Sequence, residues 1–110
     1  MKEGKVLVIV RPQFAPGFLL VGADVYETED PQRAERKVRE LLQDPGDYHL
    51  VVVDEYLAER FSPPVLSRMF SSTEPVFINV GLTGTSDDDI LREIQRLAQE
   101  ALGYAIRIDA

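Results

Sequence analysis

Val6-Leu7-Val8-Ile9-Val10, halted by Pro12, is an apolar, mostly β-branched run with no polar alternation, the pattern of a strand buried on both faces of a parallel sheet. It is expected to sit centrally. A second such run, Tyr48-His49-Leu50-Val51-Val52-Val53, ends in the acid pair Asp54-Glu55, and a third, Pro75-Val76-Phe77-Ile78-Asn79-Val80, leads into Gly81. Asp24-Val25-Tyr26-Glu27-Thr28 reads as a shorter and more exposed strand because its character alternates.

Helical segments fall between these runs. Pro16-Gly17 reads as a break, after which Phe18-Leu19-Leu20-Val21 has room for one or two turns before Gly22 ends them. Asp30-Pro31 opens a longer helix to about Gln43: the aspartate accepts an orphan N–H, and proline at the first position wastes no donor. Ala34, Val38, Leu41 and Leu42 share one face of it, with Glu35–Arg39 and Arg36–Glu40 as pairs four apart. Leu57, Ala58 and Phe61 resume helical spacing, Pro63-Pro64 interrupts it, and Val65, Leu66, Met69 and Phe70 restart it. Alternation of this kind predicts an α/β fold: a small, open, mostly parallel sheet of four or five strands with helices on both faces, flavodoxin-like in topology.

A length of 110 residues supports one domain, since a second would leave neither with a sufficient core. The formal charge of −7 gives an average field that repels polyphosphate, so nucleic acid is not an expected partner. Cysteine is absent, which removes disulfides, thiolate metal sites and cysteine nucleophiles and leans mildly towards a cytoplasmic setting. The apolar run at Val6 is too short for a membrane span or a signal core.

The segment after the third apolar strand stands apart. Ser86 caps a helix predicted over residues 87–102, with Asp87, Asp88 and Asp89 in its first turn where the macrodipole favours negative charge. Ile90, Ile94, Leu97, Ala98 and Ala101 form one stripe, with Leu91 and Leu102 beside it. That arc is wider than one sheet face requires, so one stripe is available for docking on another helix, rimmed by Arg92, Gln95 and Arg96. Gly103 stops the helix, and residues 104–108 alternate as a terminal strand. The expected division is a globular part over residues 1–85 and a C-terminal helix and strand over residues 86–110.

Open α/β sheets hold ligands beyond the carboxyl ends of their strands, which directs attention to residues 11–17, Asp54-Glu55 and residues 79–85. Asp54 invites a receiver-like or small-ligand signalling reading supported by Thr83 or Thr85. Against it, the Mg²⁺ site of such a domain needs an acidic pair after the first strand, where this chain has Arg11-Pro12, and no lysine follows Lys37. The loop Gly81-Leu82-Thr83-Gly84-Thr85 matches neither the phosphate-loop nor the dinucleotide pattern. Asp54-Glu55 is better read as the cap of the next helix, His49 as structural, and Arg11 as a lone surface charge. No catalytic set, metal site or cofactor is expected.

The chain resembles the F subunit of the V-type and archaeal A-type rotary ATPases, a small non-catalytic protein of the central stalk. Gly17-Phe18-Leu19-Leu20-Val21-Gly22 is similar to that family's Gly-Phe-x-Leu-x-Gly motif, and the segment from Tyr48 to Glu55 to its central strand with an acid pair. Pro75-Val76-Phe77 matches its next strand, and residues 94–108 its closing helix, Gly-aromatic step and last strand. Arg11-Pro12, where members commonly carry an acidic residue, Asn79-Val80-Gly81 and Pro63-Pro64 are departures that fit a diverged paralogue as well. The resemblance implies a rotor component, cytoplasmic and peripheral to the membrane through its complex, with its C-terminal helix on the coiled coil of the stalk's D subunit. It also implies a movable C-terminal segment and a part in coupling ATP turnover to ion translocation. The partner-binding residues would then be drawn from Ile90, Leu91, Ile94, Leu97, Ala98, Ala101 and Leu102. Gly17, Phe18, Leu20 and Gly22 would be structural, with Gly17 allowing a turn and Phe18 and Leu20 anchoring the first helix in the core.

Overall fold

The computed structural model describes residues 4–82 and, apart from them, Arg96. Strands β1 (Lys5–Val10), β2 (Asp24–Glu27), β3 (Tyr48–Asp54) and β4 (Val76–Val80) form one sheet in the order β2-β1-β3-β4, all parallel. The two most apolar strands are the central pair, as their composition requires, and the fold is the α/β arrangement expected. The predicted terminal strand and helix over residues 86–110 lie outside the described residues.

Helices α1 (Ala15–Leu20), α2 (Pro31–Gln43), α3 (Glu55–Ala58) and α4 (Pro63–Ser71) distribute over both faces. On one face, Leu7, Ile9, Val51 and Val53 pack with Ala34, Val38 and Leu41 of α2, and with Leu57, Ala58, Phe61, Val65 and Met69 around α3 and α4. On the other, Val8, Val10, Leu50, Val52 and Val80 pack with Phe14, Ala15 and Phe18, and Leu82 joins them. Successive residues of β1 and β3 therefore serve opposite cores, the reason neither strand can carry a polar position in its centre.

Local chemistry explains the helix ends. Asp30 accepts from the Gln32 N–H at 2.9 Å with Pro31 behind it, as read from the sequence. Ser62 at the start of α4 makes no cap bond of its own; Glu35 of α2 accepts from its N–H at 2.8 Å and from its hydroxyl at 3.1 Å. The same carboxylate takes Arg39 at 2.7 Å, so the expected pair four apart also ties α2 to α4. Glu40 pairs at 3.9 Å with Lys37 rather than with Arg36.

Three sequence expectations need correction. Pro16 and Gly17 do not break the chain: a 3₁₀ turn at Pro12–Phe14 runs into α1, where Pro16 lies in the first turn and needs no donor. Gly17 supplies no turn either, because the left-handed backbone is at Gly22, with φ +89°, past the end of α1. Leu20 does not anchor the helix, being 75% exposed, whereas Phe18 is buried. Two positions along an α-helix are about 200° of rotation, so both side chains cannot face the sheet; Phe14 and Ala15 complete the buried side instead.

Among the described residues β4 is the outermost strand on its side of the sheet, and it is less buried than its composition suggests. Val76 and Ile78, apolar as the sequence shows, are 43% and 37% exposed, and only Val80 is buried. At the other end of the sheet, β3 carries one extra residue against β1, because Lys5 aligns with Tyr48 and Val6 with Leu50. His49 is that extra residue. Both of its ring nitrogens are buried without a hydrogen-bond partner among the described residues, and the Gly4 backbone lies where a side chain would strike its ring. The ring thus packs against the Gly4 backbone.

Tyr48 reaches past β1 to donate to Asp24 of the edge strand β2 at 2.8 Å. Its pKa is raised above 10, by burial first, then by the hydrogen bond to Asp24 and the negative charges of Asp24 and Asp47. A folded-state pKa above the unfolded value near 10 means this contribution is complete below about pH 10 and is lost as pH climbs through the folded value. Tyr48→Phe is therefore expected to be less stable than the parent at neutral pH, with the gap closing above pH 10. Urea midpoints between pH 7 and 11 measure it, and a constant gap would contradict the assignment.

Candidate functional site

In a sheet of order β2-β1-β3-β4 the chain leaves β1 towards one side and β3 towards the other, so a crevice is expected beyond the ends of those two strands. Arg11 follows β1 and Asp54 closes β3, which places them together there although they are 43 positions apart. Here the crevice is filled. Asp54 is fully buried, and its Oδ2 accepts from the Arg11 Nε at 2.7 Å and the Arg11 backbone N–H at 3.1 Å. Oδ1 accepts from Arg11 Nη2 at 3.2 Å and from the Tyr56 N–H at 3.1 Å.

Aromatic rings enclose the pair. The guanidinium carbon of Arg11 lies 4.3 Å from the ring centre of Tyr56 and 5.0 Å from that of Phe14, both within cation–π range. Arg60 approaches the same tyrosine at 5.0 Å. A flat, weakly hydrated guanidinium suits this setting, as an ammonium would not, since it can stack on rings while forking onto a carboxylate. Arg11 Nη2 also donates to the Leu82 carbonyl at 3.4 Å.

The reading of Asp54 as a helix cap holds, through its bond to Tyr56. The reading of Arg11 as a lone surface charge is overturned: its side chain is only 18% exposed and is the counter-ion of the buried acid. Local pattern could not show this partner, although one signal was present, a basic residue where a magnesium-binding sheet needs acids. A receiver-like role for Asp54 is opposed by the same geometry. A carboxylate with no exposed surface and four hydrogen bonds offers no oxygen to a phosphodonor, and an arginine occupies the place a divalent cation would need.

Among the described residues no group of three or more His, Cys, Asp or Glu could hold a metal ion, and no helix is long and apolar enough to cross a membrane. Of the residues expected to bind a partner, Ile90, Leu91, Ile94, Leu97, Ala98, Ala101 and Leu102 lie outside the described residues. Arg96, on the expected rim, is helical and exposed.

Comparison with known proteins gives a consistent result. Residues 6–98 match the family model described as the ATP synthase (F/14-kDa) subunit. The fold is similar to the crystal structure of the V-type ATP synthase F subunit of Archaeoglobus fulgidus, with a TM-score of 0.63 and 25% sequence identity over 72% of this chain and 99% of that one. No curated protein matches.

Removing one partner of the central pair strands a charge. Arg11→Gln is expected to cost about 3–5 kcal/mol of unfolding free energy, the usual penalty for an uncompensated buried ion. Arg11→Met with Asp54→Asn should recover most of that loss, because the neutral amide still caps α3. Denaturant unfolding of the three proteins tests this, and a double variant as unstable as Arg11→Gln would show that charge is not the cause.

Proposed function

The chain belongs to the family of the ATP synthase (F/14-kDa) subunit, and on that premise we propose that it is a non-catalytic rotor component of the central stalk of a V/A-type ATP synthase. Its partner is the stalk's D subunit, bound through the C-terminal helix, and its contribution is to the coupling of ATP turnover with ion translocation. Cytoplasmic placement, peripheral to the membrane through the complex, follows from that role.

The observation that carries the reading is the filled crevice. Proteins of this architecture that bind small ligands do so beyond the strand ends, and here Arg11, Asp54, Phe14 and Tyr56 occupy that space with one another. Function then falls to surfaces. Residues 87–102 have two apolar stripes, and a sheet face can take only one, which leaves the other for a coiled coil. Asp54 phosphorylation is the competing reading, and it is disfavoured by the burial of both carboxylate oxygens.

Co-purification of the chain with the stalk's D subunit, followed by size exclusion, tests the proposal directly: joint elution is expected, and separate elution would count against it. Leu91→Asp with Leu102→Asp is expected to abolish joint elution while leaving the circular dichroism spectrum unchanged, if that stripe faces outward. Collapse of the fold would place that stripe in the core and transfer the partner role to Ile90, Ile94, Leu97 and Ala101. Exposure to a small phosphodonor with Mg²⁺ is expected to add no mass, and an adduct lost in Asp54→Asn would restore the signalling reading.

A further inference from the structure

The Arg11 side chain does more than neutralise Asp54. Its Nη2 bonds both to Asp54 Oδ1 and, at 3.4 Å, to the main-chain carbonyl of Leu82, 71 positions along the chain. Leu82 follows the end of β4 by two residues. One guanidinium thus touches the exits of β1, β3 and β4 together.

The exit is further confined. The Leu82 side chain is buried with Val80 in the core on the α1 face. Gly81 between them sits close to Glu55, whose Oε1 would lie 3.3 Å from any added Cβ. β3 and β4 are joined through Asp54 and Val80, which stand opposite each other in register, so the carboxylate and the strand exit are held in one frame. Arg11 is itself held by two ring faces and by the carboxylate, which leaves its Nη2 directed at the exit with little freedom to turn away.

We propose that Arg11 is a positioning residue that latches the exit of β4, Gly81-Leu82, to the ends of β1 and β3, so that the ion pair fixes where the chain leaves the sheet. A planar fork can bridge a carboxylate and a carbonyl at once, whereas a lysine is a single point charge and must choose between them. The latch concerns only the strand exit, and it stands or falls apart from the identity of any partner.

The test must separate latching from general stability. Backbone ¹⁵N order parameters of Gly81 and Leu82 are measured in the parent, in Arg11→Lys, and in the double variant Arg11→Met with Asp54→Asn, alongside melting curves. With the latch intact both residues should match the rigid strands, near about 0.85, and in both variants they should fall below about 0.6 while β1 and β3 keep their values. Unchanged values at Gly81 and Leu82 in a double variant that melts near the parent temperature would overturn the proposal, since the ion pair and the carbonyl bond are then both gone without effect. Should the double variant not fold, Arg11→Lys decides alone: it retains the charge opposite Asp54, and rigid residues at the exit would refute the latch.

Discussion

A carboxylate with no access to water must be matched by a cation and by hydrogen bonds, or the fold that buries it is not stable. Asp54 meets this requirement with one neighbour, Arg11, which supplies the charge, a fork of side-chain donors and a backbone N–H. Tyr56 supplies the remaining bond and so starts α3 directly from the end of β3. The ends of β1 and β3, the start of α3 and the exit of β4 all converge on this one pair.

The same pair shapes the end of the sheet. The crevice where an open parallel sheet offers ligands its loops and strand ends is closed here by an internal salt bridge faced with aromatic rings. Membership in the family of the ATP synthase (F/14-kDa) subunit, a component of a multi-protein complex, accords with such a body.

Much of the fold could be read from local pattern, because the forces concerned act over a few residues. Continuous β-branched runs marked the two central strands, and Asp30-Pro31 marked the start of α2 to the residue. The errors occurred where the local signal was ambiguous. Pro16 and Gly17 carry the composition of a break, yet a proline in a first turn is compatible with helix, and α1 begins at Ala15. Phe18 and Leu20 are equally apolar, and only the direction of a very short helix against the sheet decides that one is buried and the other exposed. The candidate site was half visible: Asp54 as a cap follows from its place at a strand end, but its counter-ion could not be found by spacing.

Over the described residues, sequence alone determined the order of strands and helices, the central position of the two apolar strands and the capping of α2, and along the whole chain it determined the family, since each is written in neighbouring residues or in a long-range pattern. Tertiary structure decided that Arg11 belongs to Asp54, that Phe14 and Tyr56 stack on it, that Val76 and Ile78 are exposed among the described residues, and that Leu82 is held at the strand exit. These depend on which strand ends lie side by side, and that is settled when both cores close around the sheet, bringing together residues 43 and 71 positions apart.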